Sequence, residues 1–553
     1  MAGVVVRRMV VSVGALVGLA LAVGVVAVVV AGVPVWVPAA TAIAFVGAQF
    51  ALAPVLVRWL VPANVIPHDG HRYLTDHPVG DLVARRCADA GIPLVRLGII
   101  DDGTPNAFTF GRTPGSAHVW LSRGLFERLD EREMDAVVCH ELGHVKHWDM
   151  VVMTVAAVVP LALYMVYVAS RTSGRDEARA VGLGALAAWF VSRFLLSAVG
   201  RARELAADKW SCRCTGDGDA LAAALVKIAY AVGEIEADRR RRAEALARRS
   251  DAKAERRALR REERRAGRLG AVGLLGIVGR EDVKIPDGML ARPEDLDAVV
   301  AGLRWDRLSP WARWVELCSS HPLVANRIDL LHRSGLPGAP AEWATPSVGA
   351  APMARAAAQA AAAGAPWVAG LALLAFWRVW DSGVGVAWAV TALGAALFLR
   401  WTVRYPFGHE PVAPVTALLD RLDAGPVAGV PVEVWGRVAG RGMPGYVLSP
   451  DLVIADDRGF VPLRYTNPLP FGRAWFGAVK AGRLVGADVV ARGWYFRAPG
   501  PVVEVRSLRV LGPPERGLPA KVRAWGWIAS LAVAGVVFAI GLVMLAAQVG
   551  ALG

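Results

Sequence analysis

Apolar residues in this chain gather into runs. The first, "MVVSVGALVGLALAVGVVAVVVA" (9–31), follows Arg7 and Arg8. A second covers roughly 35–57, and others fall at 151–169, 180–199, about 366–380, 384–399 and 525–548. A helix needs roughly 20 residues to cross a bilayer, so the runs predict a multi-pass α-helical membrane protein. A secretory signal also pairs a basic start with an apolar stretch, but its core is about 7–15 residues and ends at a cleavage site. The run at 9–31 is longer, and another follows after a short uncharged loop. Residues 1–60 therefore read as a two-helix membrane hairpin with both ends on the cytoplasmic side. The run at 366–380 is short and carries Arg378, the least membrane-like of the set.

Other periods appear between the runs. In "EREMDAVVCHELGHVKH" (131–147) an acidic first turn precedes apolar Met134, Val137, Val138 and Leu142, the pattern of a half-buried helix. Residues 405–518 hold short alternating stretches, "VPVEVWGRV", "LVIADDRGFVPLRY", "DVVARGWYF" and "PVVEVRSLRV", split by Gly and Pro. These read as strands of a small β-barrel. "ATPSVGAAPMARAAAQAAAAGAP" (344–366) is low in charge and rich in Ala, Pro and Gly, which reads as a linker. The expected order is a membrane hairpin (1–60), a first folded part (61–150), a second hairpin (151–199) and a second folded part (200–343). The linker, a third hairpin (367–404), the β domain (405–518) and a last span (522–549) follow.

Composition agrees: hydrophobic residues make up 55% of the chain, well above the soluble norm. Charge adds an orientation. Arg7, Arg8, Arg58, Arg400, Arg404, Lys521 and Arg523 all fall on one side if every span crosses, which makes that side cytoplasmic. The loop "RTSGRDEAR" (171–179) puts three arginines on the other side. Either the rule is broken there or 151–199 is a shallow hairpin that does not fully cross. Much of the net charge of +14 lies in "RRRRAEALARRSDAKAERRALRREERRAGR" (239–268). Acidic residues are interleaved and no aromatics are available for base stacking, so this tract reads as a solvated or lipid-facing helix. A nucleic-acid partner is not expected. Cys87, Cys139, Cys212, Cys214 and Cys318 all fall on the cytoplasmic side, where disulfides are disfavoured. The pair at 212 and 214 has no second pair to complete a four-thiolate site.

The chemistry lies in "VVCHELGHVKHWDM" (137–150). His140 and His144 are four apart and share one helix face, a spacing that lets two imidazoles reach one tetrahedral zinc ion. Glu141 is placed to hold a water at the metal's open position and take its proton. A catalytic site needs a third protein ligand. "GRARELAADKW" (200–210) offers Glu204 and Asp208, four apart, among small alanines at 202, 206 and 207 that allow close approach. Glu204 reads as the third ligand and Asp208 as a residue orienting a ligand histidine through its other ring nitrogen. Otherwise Glu204 would be a surface residue pairing with Arg201 or Arg203. His147 is a rival ligand, but three ligands from one short straight helix would strain the geometry. Two spans separate His144 from Glu204, so both reach the same side.

Four blocks in order, "PNAFTFG" (105–111), "HELGH" (140–144), "RARELAAD" (201–208) and "SSHPLVANRI" (319–328), resemble the membrane zinc endopeptidases typified by HtpX and by the CAAX prenyl endopeptidase. The resemblance covers roughly 60–335. It implies a zincin-like, mainly helical α+β protease domain, one zinc per chain on His140, His144 and Glu204, and Glu141 as the base. It places Asn106 on an edge strand beside the substrate cleft. It implies further that His321 and Arg327 approach the oxygen at the metal, where a positioned donor would stabilise developing negative charge. The long insert carrying the basic tract and the extension after residue 345 depart from the compact bacterial members. The barrel is similar to OB-like domains attached to some membrane proteases, and a structural or interaction role is expected of it.

The expectation is a plasma-membrane zinc endopeptidase with its active site facing the cytoplasm. Its substrates would be polypeptides, unfolded or damaged membrane proteins by analogy with HtpX. Two alternatives stand: a processing enzyme that cuts one defined partner, and a membrane scaffold whose metal site is silent. An intact Glu141 argues against the scaffold.

Overall fold

The computed structural model describes residues 36–60, 63–103, 105–172, 176–228, 303–333, 349–379, 383–408, 412–418, 421–441, 450–456, 459–497, 501–511 and 520–550. The predicted span 9–31 and the basic tract 239–268 lie outside them. The described residues form two compact units, one from 36–228 with 314–333, the other from 303–313 with 349–550.

The first unit begins with α1 (Trp36–Leu60) and β1 (Asn64–Val65). Next come α2 (Pro78–Ala90), β2 (Arg96–Ile100), β3 (Ala107–Phe110), β4 (His118–Ser122) and the short α3 (Arg123–Arg128). The strands form one sheet in the order β1-β2-β4-β3, parallel between β2 and β4 and antiparallel elsewhere. That order leaves β3 at an edge. A buried core of Val83, Val95, Leu97, Val119, Leu121 and Leu125 joins the sheet to α4 (Glu131–Lys146) through Met134, Val137, Val138 and Leu142.

Helix α4 starts where its sequence says it should. The Asp130 carboxylate accepts from the Glu133 N–H at 2.9 Å, and the Glu133 carboxylate accepts from the Asp130 N–H at 3.0 Å. This capping box satisfies two donors that a helix start leaves open. The helix ends at Trp148, whose φ of 58° puts a bulky residue in the left-handed region. Such backbone costs about 1–3 kcal/mol and persists only where the surroundings hold it.

Two long helices follow, α5 (Asp149–Thr172) and α6 (Asp176–Thr215). They pack along each other as the predicted hairpin, with Val166, Ala178, Val181 and Ala185 buried between them. Helix α6 runs 40 residues without a break, about 60 Å at 1.5 Å per residue. That is twice the hydrocarbon thickness, so its second half extends beyond the apolar run at 180–199. Helices α7 (Pro310–Cys318) and α8 (Val324–Arg333) carry the "SSHP" block between them.

The second unit contains α9 (Ala350–Val379) and α10 (Gly383–Arg404) ahead of the β domain, and α12 (Gly526–Gly550) after it. The predicted linker is corrected here: residues 350–366 are helical and continue into the following span without a joint. Alanine is the best helix former, the segment is crowded with it, and Pro352 sits in the first turn, where a missing N–H costs nothing. Helices α10 and α12 approach through small residues. A Cβ on Gly394 would lie 2.4 Å from the Phe538 backbone nitrogen, and one on Gly541 would lie 2.4 Å from the Thr391 hydroxyl.

Strands β6 (Val430–Arg441), β7 (Leu452–Ala455), β8 (Phe460–Arg464), β9 (Asp488–Arg497) and β10 (Pro501–Val510) close into a five-stranded barrel. The ring runs β6-β7-β8-β10-β9 and back to β6, parallel only between β8 and β10. Closure removes the open edges that alternating strands would otherwise expose. Short β5 (Val412–Ala413) and β11 (Lys521–Arg523) add to it. The crossover from β8 to β9 holds α11 (Pro470–Trp475) and a π-helical turn at Phe476–Ala481. Five of the described helices are long and apolar enough to cross a membrane: α5, α6, α9, α10 and α12.

Candidate metal centre

Two helices build the site by crossing closely. Gly143 of α4 faces Ala207 of α6, and a Cβ on Gly143 would sit 3.1 Å from the Ala207 Cα. Ala202 and Ala207 are buried. The small residues in "RARELAAD" therefore serve the approach expected of them.

At that crossing the structure brings together His140, His144 and Glu204, all buried, with one donor atom from each within 4.8 Å of the others. His140 Nε2 lies 3.6 Å from one Glu204 oxygen, and His144 Nε2 lies 3.7 Å from the other. Zinc bonds of about 2.0–2.1 Å in a tetrahedron would set ligand atoms roughly 3.3 Å apart, so the cradle has the right size. His140 Nε2 and Glu204 Oε2 have no hydrogen-bond partner and no access to water. Buried polar atoms are seldom left so, and a cation between them would satisfy both. The residues fit the metal.

The other imidazole nitrogens are held from behind. His140 Nδ1 lies 3.0 Å from Asp208, as the sequence predicts. Burial alone pushes the His140 imidazole down, but the nearby Asp208 and Glu204 carboxylates outweigh that and raise it to about 9 in the metal-free state. His144 Nδ1 meets Asp149 at 2.6 Å. Sequence reading missed Asp149. The signal was an acidic residue at the very start of an apolar helix, five positions after His144, and the left-handed turn at Trp148 swings it back. His147, the rival ligand, is exposed, with its ring edge-on to Trp210.

Glu141 is buried beside the cradle. The Thr109 hydroxyl, on edge strand β3, donates to one Glu141 oxygen at 2.6 Å, while the other oxygen has no partner. Thr109 was also missed, because nothing local in "PNAFTFG" ties it to a helix 32 residues on. Asn106 immediately precedes β3. Its N–H donates to the Ser122 hydroxyl at 2.8 Å and its carbonyl accepts from the Ser122 N–H at 2.9 Å, pinning the strand's start.

The "SSHP" block reaches the centre through α6. Arg201 donates to the carbonyls of Glu316, Leu317 and Ser319 at the end of α7, a basic cap on acceptors that a helix end leaves open. Gly200 permits the approach, since a Cβ there would lie 2.8 Å from the Ser320 carbonyl. His321 is buried with Nδ1 3.3 Å from Glu204 Oε2, and its Nε2 has no partner. Arg327 differs from expectation. Its guanidinium is buried in a two-pronged pair with Asp208, at 2.9 and 2.6 Å. It therefore sits behind His140, on the far side of Asp208 from the cradle. Arg203, foreseen as a surface partner for Glu204, does bond it at 2.7 Å, but both side chains are inside the protein.

The sequence profile of peptidase family M48 matches residues 74–334, the stretch that carries every one of these groups. A protease HtpX homolog from Methanothermobacter thermautotrophicus is 40% identical over 163 residues, 30% of this chain and 62% of the relative. A second, from Methanosarcina acetivorans, is 34% identical over 212 residues and is covered over 70% of its length. A third, from Moorella thermoacetica, is 38% identical over 212 residues and is covered over 69%. The chain belongs to peptidase family M48. Its likeness to the HtpX homologues spans about two thirds of their length and little more than a third of its own. The barrel and the helices α9, α10 and α12 lie outside the family match. No solved structure matches the chain.

Proposed function

We propose that the chain is a membrane-anchored zinc endopeptidase. One observation carries this: a buried His140–His144–Glu204 cradle of zinc-ligand size, with a carboxylate at Glu141 that one hydroxyl holds and whose second oxygen is unpaired. Zinc, held by those three residues, would supply a Lewis acid and lower the pKa of a water toward about 7. With zinc held there, Glu141 would accept a water's proton through its free oxygen and pass it to the leaving amine. Thr109 fixes which oxygen is free. His321 stands beside Glu204 as the donor for the oxygen that gains charge during attack. Arg327 and Asp208 act as a rigid backing that orients His140. Edge strand β3, led by Asn106, offers its backbone to an extended substrate, as sheet edges do for peptides.

Helices α5, α6, α9, α10 and α12 would anchor the chain in the plasma membrane, with the site facing the cytoplasm, the orientation that the sequence positions of Arg58, Arg400, Arg404, Lys521 and Arg523 favour. Substrates would be unfolded or damaged membrane proteins, an analogy that rests on the resemblance of the four sequence blocks alone. The barrel would be OB-like. Its ring order, with the third and fifth strands parallel and a helix between the third and fourth, supports that.

The test is cleavage of casein by the detergent-solubilised chain, with bound zinc measured by elemental analysis. Wild type should cut and carry one zinc. Glu141→Gln should keep the zinc and lose at least about 100-fold in rate. Zinc retained in both with casein and a panel of membrane proteins uncut would sink the degradative reading.

A further inference from the structure

The crossover between β8 and β9 buries one face and leaves the other uncovered. Inward, Phe476, Ala481 and Leu484 are buried, and Phe476 stacks on Tyr465 with ring centroids 3.9 Å apart. Outward, Phe471, Trp475 and Val479 recur every fourth residue, a single helical stripe. They are 83%, 55% and 38% exposed, and Leu469 just before them is 67% exposed. Apolar rings at that exposure, in line, are unusual for a surface meant only for water. The ionisable residues within the segment itself are basic, and one of them, Arg473, also pairs with Asp451 at 3.4 Å. Arg473, Lys480 and Arg483 are the only ionisable residues from 469 to 486, and the Lys480 ammonium lies 4.9 Å over the Trp475 ring.

The stripe also has a fixed place relative to α12. Tyr465 and Thr466, three to five residues before it, hold the start of that helix: the Tyr465 hydroxyl donates to the Arg523 carbonyl at 3.4 Å, and the Gly526 N–H donates to the Thr466 carbonyl at 3.4 Å. Exposed aromatic rings also flank the start of α12. Trp525 is half exposed at the head of α12, and Phe407, just past α10, meets Trp527 edge-on. Tryptophan and other rings concentrate where a helix leaves the hydrocarbon.

We propose that the 469–483 segment is a monotopic membrane contact: its rings enter the acyl boundary of the leaflet from which α12 emerges, and Arg473, Lys480 and Arg483 bind anionic phospholipid headgroups. An apolar stripe flanked by basic residues lies in an interface in this way, and each basic side chain near an anionic surface adds about 1 kcal/mol. The barrel is then held flat on the bilayer by three points, the ends of α10 and α12 and this crossover. The inference rests on α12 being a membrane span, and the test separates the two.

The full chain, with Cys214→Ser and Cys318→Ser, is labelled with an environment-sensitive fluorophore at Phe471→Cys, Arg437→Cys or Val536→Cys. It is reconstituted in phosphatidylcholine vesicles with or without phosphatidylglycerol. Nitroxide-bearing lipid should quench the label at 471 several-fold more than that at 437, and more strongly with the anionic lipid present. Replacing Arg473, Lys480 and Arg483 with Gln should reduce lipid contact at 471 by about 100-fold, the loss expected for removing three charges from an anionic surface. A label at 471 quenched by aqueous iodide and not by lipid overturns the proposal, and so does one shielded from both, which would mean a protein partner. If 536 is quenched by lipid while 471 is not, the span stands and the interfacial contact alone fails.

Discussion

Glu204 and Glu504 are both buried carboxylates flanked by arginine, and they are finished differently. Glu504, on β10, is fully satisfied. One oxygen accepts from Arg404 at 2.6 Å and from Arg464 at 3.2 Å, and the other accepts from the Tyr405 hydroxyl at 2.8 Å. Glu204 has a close arginine in Arg203, yet its second oxygen has no partner, and it faces a similarly unpartnered His140 nitrogen. The first arrangement ties the end of α10 to the barrel wall. The second holds a gap between ligands, with the protein rigid around it. A buried charge alone is weak grounds for a functional site, because structural networks bury charge too. What separates the two is polar capacity deliberately left unused.

Six substitutions sharpen that contrast. The largest effect is expected at the satisfied site: Glu504→Ala should destabilise its unit by about 3–5 kcal/mol, the cost of stranding buried partners, with zinc content unchanged. Glu204→Ala should do the reverse, losing zinc while moving the metal-free melting point far less. Thermal melting and elemental analysis of both variants decide it, and equal melting shifts would break the comparison.

His118 on β4 is a buried polar group of a third kind. Burial, with Arg96 nearby, lowers its imidazole to about 4. The unfolded chain binds that proton from about pH 6.5 downward and the folded chain does not. His118 therefore contributes fully above pH 6.5, and the contribution drains away as pH falls toward 4, up to about 3 kcal/mol. His118→Gln should flatten melting temperature against pH in that window. An unchanged slope would show that the acid sensitivity lies elsewhere.

Smaller effects are expected behind the ligands. Asp149→Asn and Asp208→Asn should each weaken zinc binding by about 10–100-fold, the usual result of removing a carboxylate behind a ligand imidazole. Chelator competition reads this directly, and wild-type affinity in both would leave ligand orientation to the backbone alone. The smallest is Thr109→Val, which should lower kcat by about tenfold through the lost bond to Glu141 while zinc stays bound. A rise in KM alone would place Thr109 at the substrate instead.

How much of this was legible in advance follows from chain distance. The shared face of His140 and His144 is a local pattern, and it formed as its spacing implied. Glu204 lay 60 residues beyond His144 and was still found, because "RELAAD" repeats the logic of ligand plus small residue. The linker at 344–366 failed for a local reason as well: Pro and Gly at its ends outweighed, in the reading, an alanine run with strong helical preference. Arg327 was legible as a functional block but not as Asp208's partner, since nothing in its neighbourhood names a carboxylate 119 residues earlier.

By itself the sequence determined the period of each element, the apolar lengths that set the candidate spans, and the ligand pair whose spacing one helix fixes. Those depend on residues within a turn or two of each other. Tertiary structure alone decided what covers the free nitrogens of His140 and His144, which Glu141 oxygen Thr109 holds, how five strands close into a ring, and which rings at 471 to 479 stay uncovered. Each of those depends on a close approach between distant segments, and at the metal centre Gly143 and Gly200 leave room for it. A missing side chain shows in the sequence, but the partner it admits does not.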